Sequence, residues 1–167
     1  MRYASSINDP TITIGYATHP GRTGKNNEDD YVVFETQPTT GDGTTYPSIQ
    51  VAMVADGIGG NIAGETASHL AAENFHKTFN ALTSPPRRRL VEAIETANLA
   101  IYDRAINDSN LQGMGTTIVA AALLGNELFV AHAGDSRAYL IRGGRAHQLS
   151  IDHTWAQEAI DAGRLTP

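Results

Sequence analysis

Apolar and β-branched residues alternate over 11–18, and that period predicts a strand. Residues 19–29, rich in Gly, Asn and charge, predict a loop before a second strand at 31–35. Pro38, Gly41, Gly43 and Pro47 sit among threonines and predict a long hairpin loop over 36–47. A third strand follows at 49–55, with Val51, Met53 and Ala55 on one face and a glycine-dense turn at Asp56-Gly57-Ile58-Gly59-Gly60. The period then lengthens. Ala67, Leu70, Ala71, Phe75 and Phe79 form one stripe of a helix over 63–79. Pro85-Pro86 interrupts the chain, and a second helix over 88–106 carries Leu90, Ile94, Ala97, Ile101 and Ala105 on its buried side, with Pro86 suited to a first turn.

Strand patterns return in the second half. Residues 115–124 form an apolar run, Gly125-Asn126 a two-residue turn, and 127–133 the return strand. Strands at 136–142 and 145–149 flank Gly143-Gly144, and a short helix at 154–162 ends at Gly163, a C-terminal glycine cap. Hairpin-length connections predict mainly antiparallel sheets. The two long helices are consecutive, so they are expected to pair over one sheet face. The expected class is α+β: a layered α-β-β-α sandwich of mainly antiparallel sheets flanked by helices, incomplete at the C-terminus, in one partial domain over 1–167.

Composition narrows the function more than the fold. With 41% hydrophobic and 18% charged residues, the chain reads as a soluble globular domain. A net charge of -6 argues against nucleic acid or an anionic membrane as the main partner. The one basic run, Arg87-Arg88-Arg89, reads as a solvated loop or first helical turn. The absence of cysteine excludes disulfides, thiolate zinc sites and cysteine nucleophiles. No run reaches the roughly 18 apolar residues of a membrane span, and Met1 to Ser6 lacks an apolar export core, so a cytoplasmic protein is expected.

Three short segments carry candidate chemistry, each at a strand end: Asn27-Glu28-Asp29-Asp30, Asp56-Gly57 with Gly59-Gly60, and Gly134-Asp135-Ser136-Arg137. Hard cations such as Mg2+ and Mn2+ take carboxylate, carbonyl and water oxygens. Glycine after an aspartate lets the backbone approach closely enough for its own carbonyl to coordinate. Two such cations can bind a phosphoryl oxygen and activate a water, so no side-chain nucleophile is needed. Taken singly, each segment is equally a solvated acidic loop or a plain turn.

Together with Val54-Ala55, Gly64-Glu65-Thr66-Ala67-Ser68, Gly113-Met114-Gly115-Thr116-Thr117, Gly134 to Tyr139 and Gln148 to His153, the three segments resemble the ordered motif series of the PPM (type 2C) metal-dependent serine/threonine protein phosphatases, above all bacterial ones. The resemblance runs from about Thr13 to the last residue. It implies that Asp56 bridges two metal ions, Mg2+ or Mn2+, and that Gly57 gives one of them its carbonyl. Glu28 is then a ligand, direct or through water, Asp29 orients metal-bound water, and Asp135 is linked to a third, more weakly held ion. The implied reaction is hydrolysis of phosphoserine and phosphothreonine in proteins by a metal-activated water, with a phosphoprotein substrate, a serine/threonine kinase of the same pathway as partner, and no nucleic acid or membrane. Thr116 and Thr117 fall where the family packs a strand under its metals, a structural role. Glu65 suits the dipole at the start of the first long helix.

The sequence departs from the family in three places. The arginine usual four residues before the glutamate is Gly24, flanked by Arg22 and Lys25; a lysine there would lack the bidentate fork. A histidine found in some members near the Asp-Gly motif is replaced by Ile58 and Asn61. His153 lies in Asp152-His153-Thr154, a motif expected instead to cap the last helix. The chain also ends at Pro167, before the family's two C-terminal metal-binding aspartates, so a fragment of a longer protein is the expectation. A noncatalytic module that binds a phosphoprotein or kinase is the alternative. A calcium-binding structural domain would use the same acids, but no EF-hand spacing appears.

Overall fold

The computed structural model describes residues 12–22, 26–37, 45 and 47–166. Its elements run β1 (Asp29–Thr36), β2 (Ile49–Ile58), α1 (Asn61–Ala81), α2 (Pro86–Asn107), a 3-10 turn (Ser109–Leu111), β3 (Gly115–Thr116), β4 (Ile118–Leu124), β5 (Glu127–Ala133), β6 (Tyr139–Arg142), β7 (Arg145–Gln148) and α3 (Trp155–Asp161). The main sheet has order β1-β2-β4-β5, with β3 extending the β4 side of β2; β6 and β7 form a separate two-stranded sheet. Every pairing is antiparallel, as the short connections predict. With both long helices over one sheet face, the chain is α+β.

The alternation of β2 decides which face is covered. Ile49, Val51, Met53 and Ala55 point to the helices and are buried, whereas Val54 points the other way and is exposed. The α1 stripe is buried as its period predicts: Ala67, Ala71, Phe75 and Phe79 are fully enclosed, and Phe34 meets Phe79 edge-on at 5.7 Å. Burying a phenylalanine side chain stabilises by about 1.5–3 kcal/mol. That outweighs the missing N-cap of α1, since Gly60 offers no side chain to its free N–H groups. Pro86 is the first residue of α2, as expected. Gly163 (φ +67°) ends α3 as predicted: its N–H reaches Ile160 O and that of Arg164 reaches Ala159 O, a Schellman cap.

Several expectations are corrected. Residues 12–20 form no strand. Ile14 to His19 lie over β1 and β2 around a cavity of about 420 Å³, without a ladder partner among the described residues, and alternation alone cannot supply one. Most of the 36–47 loop falls outside the described residues. The predicted turn at 56–60 is half strand: Asp56, Gly57 and Ile58 continue β2, and only Gly59 and Gly60 turn. Because α1 starts at Asn61, Glu65 lies beyond its first turn and not at its dipole end. The run 115–124 is interrupted at Thr117, and residues 136–138 are loop.

The basic run divides. Arg87 and Arg88 are exposed, but Arg89 is completely buried. Its Nε donates to Phe79 O at 2.9 Å, and its guanidinium lies 4.2 Å from the centre of the Phe79 ring. The carbonyls of the last turn of α1 have no partner within the helix and carry the negative end of its dipole, so a cation delivered by α2 satisfies one of them. Burial pulls this guanidinium below its usual pKa. Nη1 is buried without a hydrogen-bond partner, a cost the other contacts offset. Among the described residues no helix is long and apolar enough to cross a membrane.

Candidate metal centre

The site lies where one row of the sheet crosses successive strands. Asp29 on β1 stands opposite Asp56 on β2. On the other side of Asp56 the β2–β3 and β2–β4 pairings share one register, which puts Thr117 opposite it; Thr117 N donates to Asp56 O at 2.9 Å. Gly134, just past β5, packs against Thr117, and Asp135 follows. Directly opposed residues project to the same face. For Asp29 and Asp56 this is the face away from α1 and α2.

Turn chemistry presents the first motif. The Asn27 side chain accepts from Asp29 N at 3.3 Å and donates to Thr18 Oγ1 at 2.7 Å, so an Asx turn tied to the preceding segment aims Glu28 and Asp29. Gly57 N then donates to Glu28 O at 3.1 Å, joining the two motifs through their backbones. Asp30 points to the helical side and pairs with His69 at 3.1 Å.

Space constrains two glycines, one against backbone and one against a side chain. A Cβ on Gly57 would stand 2.1 Å from Gly64 O and 2.7 Å from Glu28 O, so only glycine lets β2, α1 and the Glu28 backbone meet there. A Cβ on Gly64 would stand 2.1 Å from Glu28 Oε2. The Glu28 carboxylate therefore occupies the space a side chain on α1 would fill. This role of Gly64 escapes sequence reasoning, because a glycine near a helix start signals only a boundary.

The charge distribution favours a cation. The pKa of Asp56 is raised from its ordinary 3.8, first by desolvation, then by the charges of Asp29 and Asp135, and last by a hydrogen bond with Asp29. The charged form of Asp56 is thus held at a cost, first of burial and then of its acidic neighbours, and oxygen-only donors match Mg2+ or Mn2+. Asp29, Asp56 and Asp135 are brought together. The Glu28 carboxylate is not brought to them: it lies on the α1 side against Gly64, and only the Glu28 backbone meets the site, through Gly57 N. Among the described residues no three His, Asp or Glu side chains yet converge on one ion position. Gly24 and Lys25 lie outside the described residues, as does the side chain of Asn61; Arg22 is exposed.

Behind the acids, Arg137 Nε donates to Asp152 Oδ1 at 2.9 Å, and this arginine holds the Asp152 carboxyl below its ordinary range. The Asp152-His153-Thr154 motif caps α3 as expected, through the Thr154 side chain, which accepts from Gln157 N, while His153 Nδ1 accepts from Gly134 N at 3.3 Å.

An antiparallel sheet under two paired helices, with glycine-backed acids at its strand ends, defines the class. Residues 25–159 match the family described as Protein phosphatase 2C, and the chain belongs to it. Among its relatives, the serine/threonine protein phosphatase PstP of Mycobacterium tuberculosis is 38% identical over 125 residues, which is 74% of this chain and 24% of the relative. The serine/threonine phosphatase stp of Listeria welshimeri is 31% identical over 156 residues, 90% of this chain and 58% of the relative. The crystal structure of the PstP catalytic domain in complex with two manganese ions superposes with a TM-score of 0.67 at 34% identity, covering 88% of this chain and 58% of that one. The chain thus spans 24% and 58% of the length of these two curated relatives.

Proposed function

We propose that the full-length protein containing this chain hydrolyses phosphoserine and phosphothreonine in proteins with the help of Mg2+ or Mn2+. Asp56, Glu28, the Gly57 carbonyl and Asp135 would hold the ions. The observation that carries this reading is the register that sets Asp29 directly opposite Asp56, with Thr117 on the other side of Asp56 and Gly134-Asp135 packed against Thr117. When bound, the ions supply charge neutralisation and Lewis-acid activation of water. The chain's own residues do the rest. Asp56 sits centrally, between Asp29 on β1 and Thr117, so its backbone is fixed by pairing on both sides. The Asp29 carboxylate, exposed beside it, would accept a hydrogen bond from a water and so orient it. Gly57, without a side chain, leaves its carbonyl approachable. A phosphoprotein substrate, a kinase acting in the opposite direction and a cytoplasmic setting belong to the same proposal, by family.

The test is Mn2+-dependent hydrolysis of p-nitrophenyl phosphate and a phosphothreonine peptide by the full-length protein. Turnover that disappears with EDTA and in Asp56→Asn is expected. A folded, Mn2+-loaded protein without turnover would overturn the reading in favour of a noncatalytic binding module.

A further inference from the structure

The ladder beside Asp56 contains a substitution of one acceptor for another. In a regular antiparallel pair Asp56 N–H would reach the Thr117 carbonyl. Here it reaches Thr117 Oγ1 at 3.2 Å, and the Thr117 carbonyl accepts from Thr116 Oγ1 at 3.0 Å. The same Thr117 hydroxyl lies 2.6 Å from Ser136 Oγ. One buried hydroxyl, on a residue 9% exposed, therefore touches the backbone of Asp56 and the residue that follows Asp135. The approach is close on the other side too. Gly134 has φ +101°, and a Cβ there would stand 2.8 Å from Thr117 Cγ2. Asp135 is thus bracketed by two residues that both rest on Thr117.

Ordinary sheet packing needs none of this. Valine fills the same volume and suits a strand better, but it cannot accept from Asp56 N–H or bond Ser136. We infer that Thr117 and Ser136 are positioning residues: their paired hydroxyls couple the backbone of Asp56 to the loop that carries Asp135 and so fix the spacing of the two carboxylates toward the ions. The inference rests on the proposed role of those carboxylates as cation ligands.

The experiment is titration calorimetry of Mn2+ into full-length wild-type, Thr117→Val, Thr117→Ser and Ser136→Ala proteins, with thermal melts of the metal-free forms. Loss of an outer partner of a metal ligand typically weakens binding roughly 10- to 100-fold, which is the rise in Kd expected for Thr117→Val. Thr117→Ser keeps the hydroxyl and restores wild-type affinity. Ser136→Ala weakens binding in the same direction, and its combination with Thr117→Val adds nothing further, because one hydroxyl pair is removed in either case. Equal Kd values for Thr117→Val and wild type would overturn the inference, as would a folded Thr117→Ser as weak as Thr117→Val. Wild type that binds Mn2+ but turns over no phosphoester would remove the phosphatase reading alone, since the ratio of affinities still decides the role of the hydroxyls.

Discussion

Substituting Gly64 by alanine separates folding from ion binding, because the added methyl meets a movable carboxylate and almost nothing else. The new Cβ would stand 2.1 Å from Glu28 Oε2 and 2.9 Å from its Cδ, with Gly57 C next at 3.1 Å. The carboxylate is the far end of a flexible side chain and can rotate away for about 0.5–1.5 kcal/mol. The backbone contact has to give only a few tenths of an ångström. Against this, alanine within α1 gains about 0.5–1 kcal/mol over glycine. The two effects nearly cancel, so the urea midpoint of the metal-free protein should stay within about 1 kcal/mol of wild type. Ion binding cannot cancel in the same way. The space Glu28 occupies is gone, and a displaced ligand should raise the Mn2+ Kd by at least the roughly 10- to 100-fold seen for outer partners. Calorimetry on the full-length protein reads the second quantity and urea unfolding the first. Wild-type affinity in a folded Gly64→Ala protein would refute the assignment of Glu28 as a ligand. A loss of stability well beyond 1 kcal/mol would refute the claim that the contact is soft.

Two further predictions follow from charge. The raised pKa of Asp56 means that the folded, metal-free protein keeps a proton that the unfolded chain releases, so this contribution to stability is present below the ordinary value of 3.8 and fades as pH rises through the raised one. Asp56→Asn removes the dependence. In urea unfolding without metal, wild type should lose ground to the variant as pH climbs from 4 toward neutrality, and saturating Mn2+ should reverse the order; a gap independent of pH refutes the repulsion argument. Arg89→Ala removes charge-assisted hydrogen bonds worth about 1.5–3 kcal/mol and a desolvated cation–π contact worth about 2 kcal/mol, so a loss of about 3–5 kcal/mol is expected, with Arg89→Met losing less because it keeps the stem's packing. A loss under about 1 kcal/mol for alanine would show the buried guanidinium to be a passenger.

The sequence announced those features whose cause is local. The 3.6-residue stripes of α1 and α2, the Gly125-Asn126 turn (Gly125 φ +58°) and the glycine cap of α3 each depend on neighbours within a few positions. What escaped depends on residues far along the chain. Whether 11–18 is a strand turns on a ladder partner, and periodicity does not name one. Arg89 looks like its two exposed neighbours until the end of α1 is seen beneath it. Asp56 to Ile58 carried a turn signature, yet β1 and β3 draw them into the sheet. For the candidate site, the acids proposed at 28, 29, 56 and 135 stand out in the sequence as parts of a motif series. The glycine whose missing side chain houses Glu28, and the hydroxyl that stands in for a carbonyl opposite Asp56, were not.

The row of residues that crosses the sheet is anchored unevenly. Asp56 is held between neighbours, whereas Asp29 begins the outermost strand of the sheet among the described residues, with pairing there on one side only. Amides at the start of such a strand open by fraying, at far lower cost than global unfolding. An ion held by Asp56 whose water is oriented by Asp29 would therefore do two jobs at once: it occupies its seat and it stitches down a loose hem of the fabric. Its apparent affinity will be lower than the finished seat would give, by the work of that stitching, and hydrogen exchange at residues 29–31 should slow on loading far more than at 54–56.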